Sequence, residues 1–211
     1  MPTRRAGLRE QKKQATREAL REAALRLALE RGPDNVRVDD IAEAAGVSPR
    51  TYNNYFASRE QAIVAAVTTE RESRVAAAVT VRPANVRLSD AVVEAIVEQY
   101  TDQSEPGRDA LLLITTRPTL RDAFVGTATA IEHPLADAIA ERLGDPQTAR
   151  VLAASVAAAV RVALEQWVQP ASASQAIGGL VVPSGSLPDL LRSALAPLAP
   201  ALDAAEGSGG A

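Results

Sequence analysis

Few residues in this chain could do covalent chemistry. His133 is the single histidine, and there is no cysteine. A metal site draws several ligands from such side chains, and His133 has no second His or Cys to join it. We therefore read no metal site and no cofactor. No G-x-S-x-G, G-x-G-x-x-G or Walker loop occurs, so the chain is read as no enzyme. What remains is recognition. Arg50, Asn53 and Asn54 fall three and four positions apart and share one face of a helix. Guanidinium and carboxamide groups are the side chains that read base edges in a DNA major groove, Arg on guanine and Asn on adenine.

The elements that must position these three lie between Val38 and Phe56, VDDIAEAAGVSPRTYNNYF. The pattern predicts two short helices joined by a tight turn. The first carries Ile41, Ala42, Ala44 and Ala45 and stops at Gly46, the residue best able to take positive φ at a helix end. Val47 is expected inside. Ser48 is a good N-cap, and Pro49 sits at the first helical position, where the missing N–H is harmless. Tyr52 and Phe56 are four apart and point inward with Ile41 and Val47. A helix this short is unstable alone, and its polar outer face fits a major groove.

The longer stretch from Ala23 to Glu60, AALRLALERGPDNVRVDDIAEAAGVSPRTYNNYFASRE, resembles the DNA-binding domain of TetR-type regulators. The matching pieces are A-A-L-x-L before E-R-G, then D-D-I-A-x-A-A-G-V-S, the pair Tyr55-Phe56, and S-R-E opening the next helix. The resemblance implies that Ser48 to Tyr55 enters a major groove. Arg50 and Asn53 are the expected base contacts. Thr51, Asn54, Tyr55, Arg59 and Arg37 are the expected backbone contacts, with Ser48 and Pro49 opening the reading helix. Arg59 stands at the family's usual Lys, a phosphate contact. Val38 replaces the usual Thr and can neither cap the helix nor touch phosphate. Asn53 stands where Tyr is common, and it suits a base edge or a phosphate equally.

Composition fits this reading. At 211 residues, one or two domains are expected. Hydrophobic residues make up 46% but aromatics only 3%, so Ala, Leu and Val must do the packing between closely spaced helices. No run of 18 apolar residues is uninterrupted, no apolar core follows the basic N-terminus, and there is no cysteine to form a disulfide. A cytoplasmic protein with no membrane span is expected. The net charge of −3 is unevenly spread. Residues 1–31 hold nine Lys/Arg against four Glu, net +5, while residues 61–211 hold eleven against seventeen acids, net −6. A basic end on an acidic body turns the molecule toward phosphate.

In chain order, residues 1–8 read as a basic disordered arm, with or without a minor-groove contact. The DNA-binding domain runs over 9–60. Its first helix spans about Arg9 to Arg31, with Thr16, Leu20, Ala23, Ala24 and Leu27 facing in and Gly32-Pro33 ending it. Ser58 to Gln61 has the form of a capping box and opens a linking helix to about Thr80. A break at Val81 to Asn85 precedes a second domain over 85–202. There Leu88, Val92, Ile96 and Tyr100 form one stripe, and Pro134 should kink a helix that begins at Pro118. Asp145-Pro146 opens a helix to about Val168 whose middle, VLAASVAAAV, is apolar all round. Such a helix needs cover on every side. With the helix Leu187 to Leu202 it is the expected four-helix dimer interface, through Leu152, Val156, Val160, Leu187, Leu191 and Leu195. Residues 170–186 form the connection, and 203–211 a disordered tail.

A ligand pocket between helices of the second domain is expected. Its apolar walls are Leu112, Phe124, Leu135, Val160, Leu164 and Trp167, and its polar groups Gln99, Arg117, Arg161 and His133. For each residue taken singly, plain packing or exposure competes with that role. The segment from Leu111 to Gln169, through LLITTRPTLRDAF, AIAERLG and ALEQW, also resembles a TetR subgroup that includes mycofactocin-linked regulators. The recognition-helix form S-P-R-T is that subgroup's too. The resemblance implies a fatty-acyl or acyl-CoA-type effector, with Arg117 or Arg121 on its phosphate or carboxylate. The whole reads as an all-α protein of about nine helices: an N-terminal three-helix helix-turn-helix domain and a C-terminal ligand-binding and dimerisation domain. It is expected to act as a homodimeric repressor on a palindromic double-stranded operator, released by a small hydrophobic effector. An effector-independent activator or architectural DNA binder is the alternative, with a small-molecule carrier or enzyme behind it.

Overall fold

The structure, a computed structural model, describes residues 3–68, 71–101, 106–169 and 186–208. Among these there is helix and no strand. The chain divides into two compact units. One holds Met1–Thr69 and Ser104–Phe124, the other Glu70–Gln103 and Val125–Ala211.

In the first unit α1 runs from Thr3 to Arg31, so the expected arm is helical from Thr3 onward. Gly32 stops it at φ 77, and a 3₁₀ turn, Pro33–Asn35, follows. Asn35 Nδ2 donates to the Arg31 carbonyl at 2.8 Å, which gives α1's open end a partner. Then come α2 (Val38–Ala44), α3 (Pro49–Tyr52) and α4 (Arg59–Thr68). Leu20, Ala23, Ala24 and Leu27 of α1 meet Ile41, Ala42, Tyr52, Ile63 and Val64 in one core. Two further helices, α7 (Pro106–Thr116) and α8 (Pro118–Gly126), begin in this unit, and α7 packs on α1 and α4. By sequence this segment is expected in the second domain, over 85–202. Its apolar residues fit either place, and only the tertiary partner of Ile114 and Leu120, both fully buried, distinguishes them.

The second unit holds α5 (Arg71–Thr80), α6 (Leu88–Thr101), α9 (Glu132–Leu143), α10 (Pro146–Val168), α11 (Leu187–Leu195) and α12 (Ala199–Ser208). The kink expected at Pro134 takes the form of a 3₁₀ stretch over Thr127–Ile131, directly before α9. Proline excludes the carbonyl four residues back, and tighter winding relieves that conflict. Asp145 caps α10 by accepting from Gln147 and Thr148 N–H, at 3.0 and 3.3 Å. At 23 residues α10 is long and apolar enough to cross a membrane by composition. Here it is the central helix, packed on α9 and α11. Its inward face is Leu152, Ala153, Val156, Ala157, Val160 and Leu164.

That face corrects the expected dimer surface. Leu152, Val156 and Val160, with Leu187, Leu191 and Leu195 of α11, are all buried within a single chain. A helix apolar all round does not show which stripe points inward. The stripe left outside is Val151, Ala154, Ala158 and Val162, with Val151 62% exposed. The connection read over 170–186 lies outside the described residues except for Ser186, which caps α11.

The expected tail is also corrected, since α12 continues to Ser208. Its carboxylates serve as distant caps for α6. Asp203 accepts from Ser89 N–H at 3.1 Å, and Glu206 from Leu88 N–H at 2.9 Å. Arg142 of α9 closes the cluster by donating to Glu206 and to the Val86 carbonyl. Glu206→Gln should lower the stability of this unit by about 1–3 kcal/mol, because the charge-assisted partner of a largely buried guanidinium is lost. Urea unfolding should show an earlier midpoint for this variant.

Candidate nucleic-acid interface

The turn between α2 and α3 forms as its residues dictate. Gly46 takes φ 70, and a Cβ there would meet nothing within 4 Å, so glycine is required by backbone angle rather than by space. Ser48 Oγ accepts from Thr51 N–H at 3.1 Å and lies 2.9 Å from the Thr51 hydroxyl. Thr51, expected on the DNA backbone, thus shares its hydroxyl with the cap. Pro49 occupies the first helical position.

The inner side of α3 is held by Tyr52. Its ring is fully buried and packs on Phe56 at 5.9 Å between centroids. Its hydroxyl donates to the Ser58 carbonyl at 2.8 Å. Burial, with the nearby Glu60 carboxylate, pushes the Tyr52 pKa up to about 12. Arg17 of α1 covers the Phe56 ring at 5.6 Å. Ser58 Oγ accepts from Gln61 N–H at 3.2 Å, as S-x-x-Q predicts, but Gln61 Oε1 reaches back to Ala57 N–H at 3.0 Å, one residue before the cap itself.

The outer side is open. Ser48, Pro49, Arg50, Asn53 and Asn54 are exposed, and Thr51 and Tyr55 half-buried. Arg37 is exposed too, with its N–H on the Asp40 carboxylate at 2.9 Å. That contact ties the N-cap residue Arg37 to the first turn of α2. Arg9, Lys12, Lys13 and Arg17 lie exposed along α1 of the same unit. A capped, buried-anchored helix turn with one guanidinium and two carboxamides facing solvent can place donors and acceptors on base edges. It has no group for bond making.

Comparison with known proteins agrees. Residues 20–66 match the model for bacterial regulatory proteins of the tetR family, and residues 82–203 the model described as the MftR C-terminal domain. The HTH-type transcriptional regulator TcmR of Streptomyces glaucescens is 31% identical over 76% of each chain. This chain belongs to the TetR family of transcriptional regulators. It is therefore a DNA-binding regulator, and proteins of this family are not enzymes. Among solved structures it is similar to a TetR-family regulator from Rhodococcus sp., at 21% identity and TM-score 0.45, over 90% of this chain and 99% of that one. It is also similar to a multidrug binding protein, EbrR, complexed with imidazole, at 23% identity and TM-score 0.43, over 87% and 94%.

The expected pocket residues are divided between the two units. Leu112 is 58% exposed. Arg117 belongs to the DNA-binding unit, where it pairs with Asp34 at 3.1 Å. Arg161 is exposed and pairs with Glu165 one turn on, and His133 is exposed. Each of these is a polar or apolar residue whose helix phase the sequence did not fix. Phe124 is buried in the first unit; Leu135, Val160 and Leu164 are buried in the second, with Gln99 and Trp167 half-buried there. Among the described residues no group of three or more His, Cys, Asp or Glu is placed to hold a metal.

Sequence reasoning missed one pair. Arg71 and Tyr100 are both buried, with the guanidinium 4.4 Å above the ring. Burial pushes the Arg71 pKa down and the Tyr100 pKa up. Tyr100 belonged to the expected inner stripe of α6, but nothing local marks Arg71 as its partner.

The Tyr52 contact can be tested alone. Tyr52→Phe keeps the ring but leaves the Ser58 carbonyl with only the longer bond from Ala62 N–H, at 3.3 Å, and should cost about 1 kcal/mol. Thermal melting should fall accordingly, and an unchanged melting curve would show the hydroxyl to be idle.

Proposed function

We propose that the protein is a homodimeric repressor that binds a palindromic operator and is released by a small hydrophobic effector. The observation that carries the DNA-reading part is the exposure of Arg50 on α3, and of Asn53 and Asn54 in the turn that follows it, while Tyr52 anchors the helix in the core. Arg50 and Asn53 read base edges; Arg37, Thr51, Asn54 and Tyr55 contact the backbone, with Ser48 and Pro49 at the groove edge. Paired heads place half-sites ~34–36 Å apart or at a small multiple. The exposed basic residues of α1 add phosphate attraction.

The homodimer reading rests on the outward stripe of α10. Val151, Ala154, Ala158 and Val162 leave an apolar, small-residue face uncovered on α10. A two-fold partner presenting the same stripe would cover it. The effector reading rests on the match to the MftR C-terminal domain and on the composition of the second unit's core. Leu135, Val160 and Leu164 offer apolar wall, and Gln99, Trp167 and the buried pair of Arg71 and Tyr100 offer polar or amphipathic contacts. A fatty acid or acyl-CoA suits that mixture. The protein acts in the cytoplasm, where its operator is.

Genome-wide selection of bound DNA, repeated with a panel of acyl-CoAs and free fatty acids, tests the whole. A palindrome lost on addition of one ligand class is the expected result; a ligand that binds without changing operator affinity would defeat release. On the selected operator, Arg50→Ala should cost roughly 1–3 kcal/mol and relax preference at one base pair. Equal weakening on every sequence would move Arg50 to the phosphates. Replacing Val151 and Ala158 together by Asp should leave the fold intact, yield monomers in sedimentation and abolish operator binding. A dimer that survives this change would place the interface elsewhere.

A further inference from the structure

Arg59 opens α4 at the position where a phosphate contact was expected. Its guanidinium is turned back into its own chain. Nη1 donates to the carbonyls of Val36 and Asp34, at 3.0 and 3.3 Å, and Nε donates to Glu60 at 2.6 Å. The side chain keeps only 30% of its exposure. Glu60 is held in the same grip: burial pushes its pKa up, but the hydrogen bonds from Arg59, its own backbone N–H and Ser58, together with the Arg59 charge, outweigh burial and keep the carboxyl below the usual range.

What Arg59 holds is the turn from which the reading head starts. Val36 is fully buried and sits two residues before α2. The same turn is gripped from a second side, since Arg117 pairs with the Asp34 carboxylate. A planar guanidinium can span two carbonyls and a carboxylate at once, whereas an ammonium is a single point donor. Recognition groups are useful only when their supporting shell fixes them closely.

We propose that Arg59 is a positioning residue: it locks the Pro33–Asn35 turn to the first turn of α4 and so sets the pose in which α2 and α3 meet DNA. This rests on the DNA-reading role of α3. If the wild-type chain bound no selected duplex, that role would fail before Arg59 came into question.

The test measures affinity of the full chain for its selected operator between about 50 and 200 mM salt. A lost phosphate contact lowers the slope of log affinity against log salt by about one. A lost positioning contact shifts the whole line. Arg59→Gln should weaken binding about tenfold at every salt concentration with the slope unchanged, the order expected for losing a charge-assisted hydrogen bond. Arg59→Lys keeps the charge and should lose most of the same affinity. It remains the deciding variant if the Gln protein fails to fold by circular dichroism. A shallower slope in the Gln variant, or wild-type affinity in the Lys variant, would make Arg59 a phosphate contact and overturn the proposal.

Discussion

The burial of one aromatic ring governs the DNA-binding unit. The reading helix α3 has four residues, Pro49–Tyr52, too few to hold itself together. Tyr52 is the part of it that reaches the core, and it does so completely. The ring supplies apolar area and the hydroxyl a fixed bond to Ser58, so the helix is held in position and in rotation about its axis. With Tyr52 pointing in, a period of about 3.6 residues per turn sends Arg50 to the outer side of α3. Asn53 and Asn54 stand exposed in the turn that follows, whose tight bonds from Asn54 N–H to Thr51 and from Tyr55 N–H to Tyr52 continue from the same anchor.

Around that anchor, guanidinium groups organise the irregular backbone. Arg59 takes two carbonyls of the turn before α2. In the other unit Arg142 takes the Val86 carbonyl and the Glu206 carboxylate beside the start of α6. Both sites gather carbonyls of the irregular backbone just before a helix. Both also spend a cation that, seen in sequence alone, looks like surface charge. With aromatics at 3%, the interior has little large side-chain area to fix its corners, and these forks do that work.

This explains which features were legible beforehand. The caps at Ser48 and Ser58, the stop at Gly46 and the inward pair Tyr52 and Phe56 depend on neighbours within four residues. Local spacing therefore encodes them, and the family's motif lies in the same stretch. The end of α12, from Asp203 onward, reads as tail because it is mostly Ala, Gly and Ser. Its order comes from Asp203 and Glu206 meeting α6 more than a hundred positions earlier. The α10 stripe was misphased for a related reason. When Val and Ala occupy every face, hydrophobicity carries no angle, and the choice of Leu152 over Val151 as the inward residue is made by α9 and α11. Arg117 and Arg161 read as pocket cations because their acidic partners, Asp34 and Glu165, could not be ranked by spacing alone.

The charge distribution completes the physical account of DNA binding. A chain of net −3 should be repelled by a duplex if its charge were evenly spread. It is not: the first 31 residues carry +5, and Arg9, Lys12, Lys13 and Arg17 of α1 stand exposed in the unit that also carries α3. Over a screening length of about 8 Å at physiological salt, DNA feels the nearest charges far more than the sum. The basic unit is then attracted at short range while the acidic remainder disfavours any other approach. Orientation is thus selected before contact, with the unit that carries α3 leading.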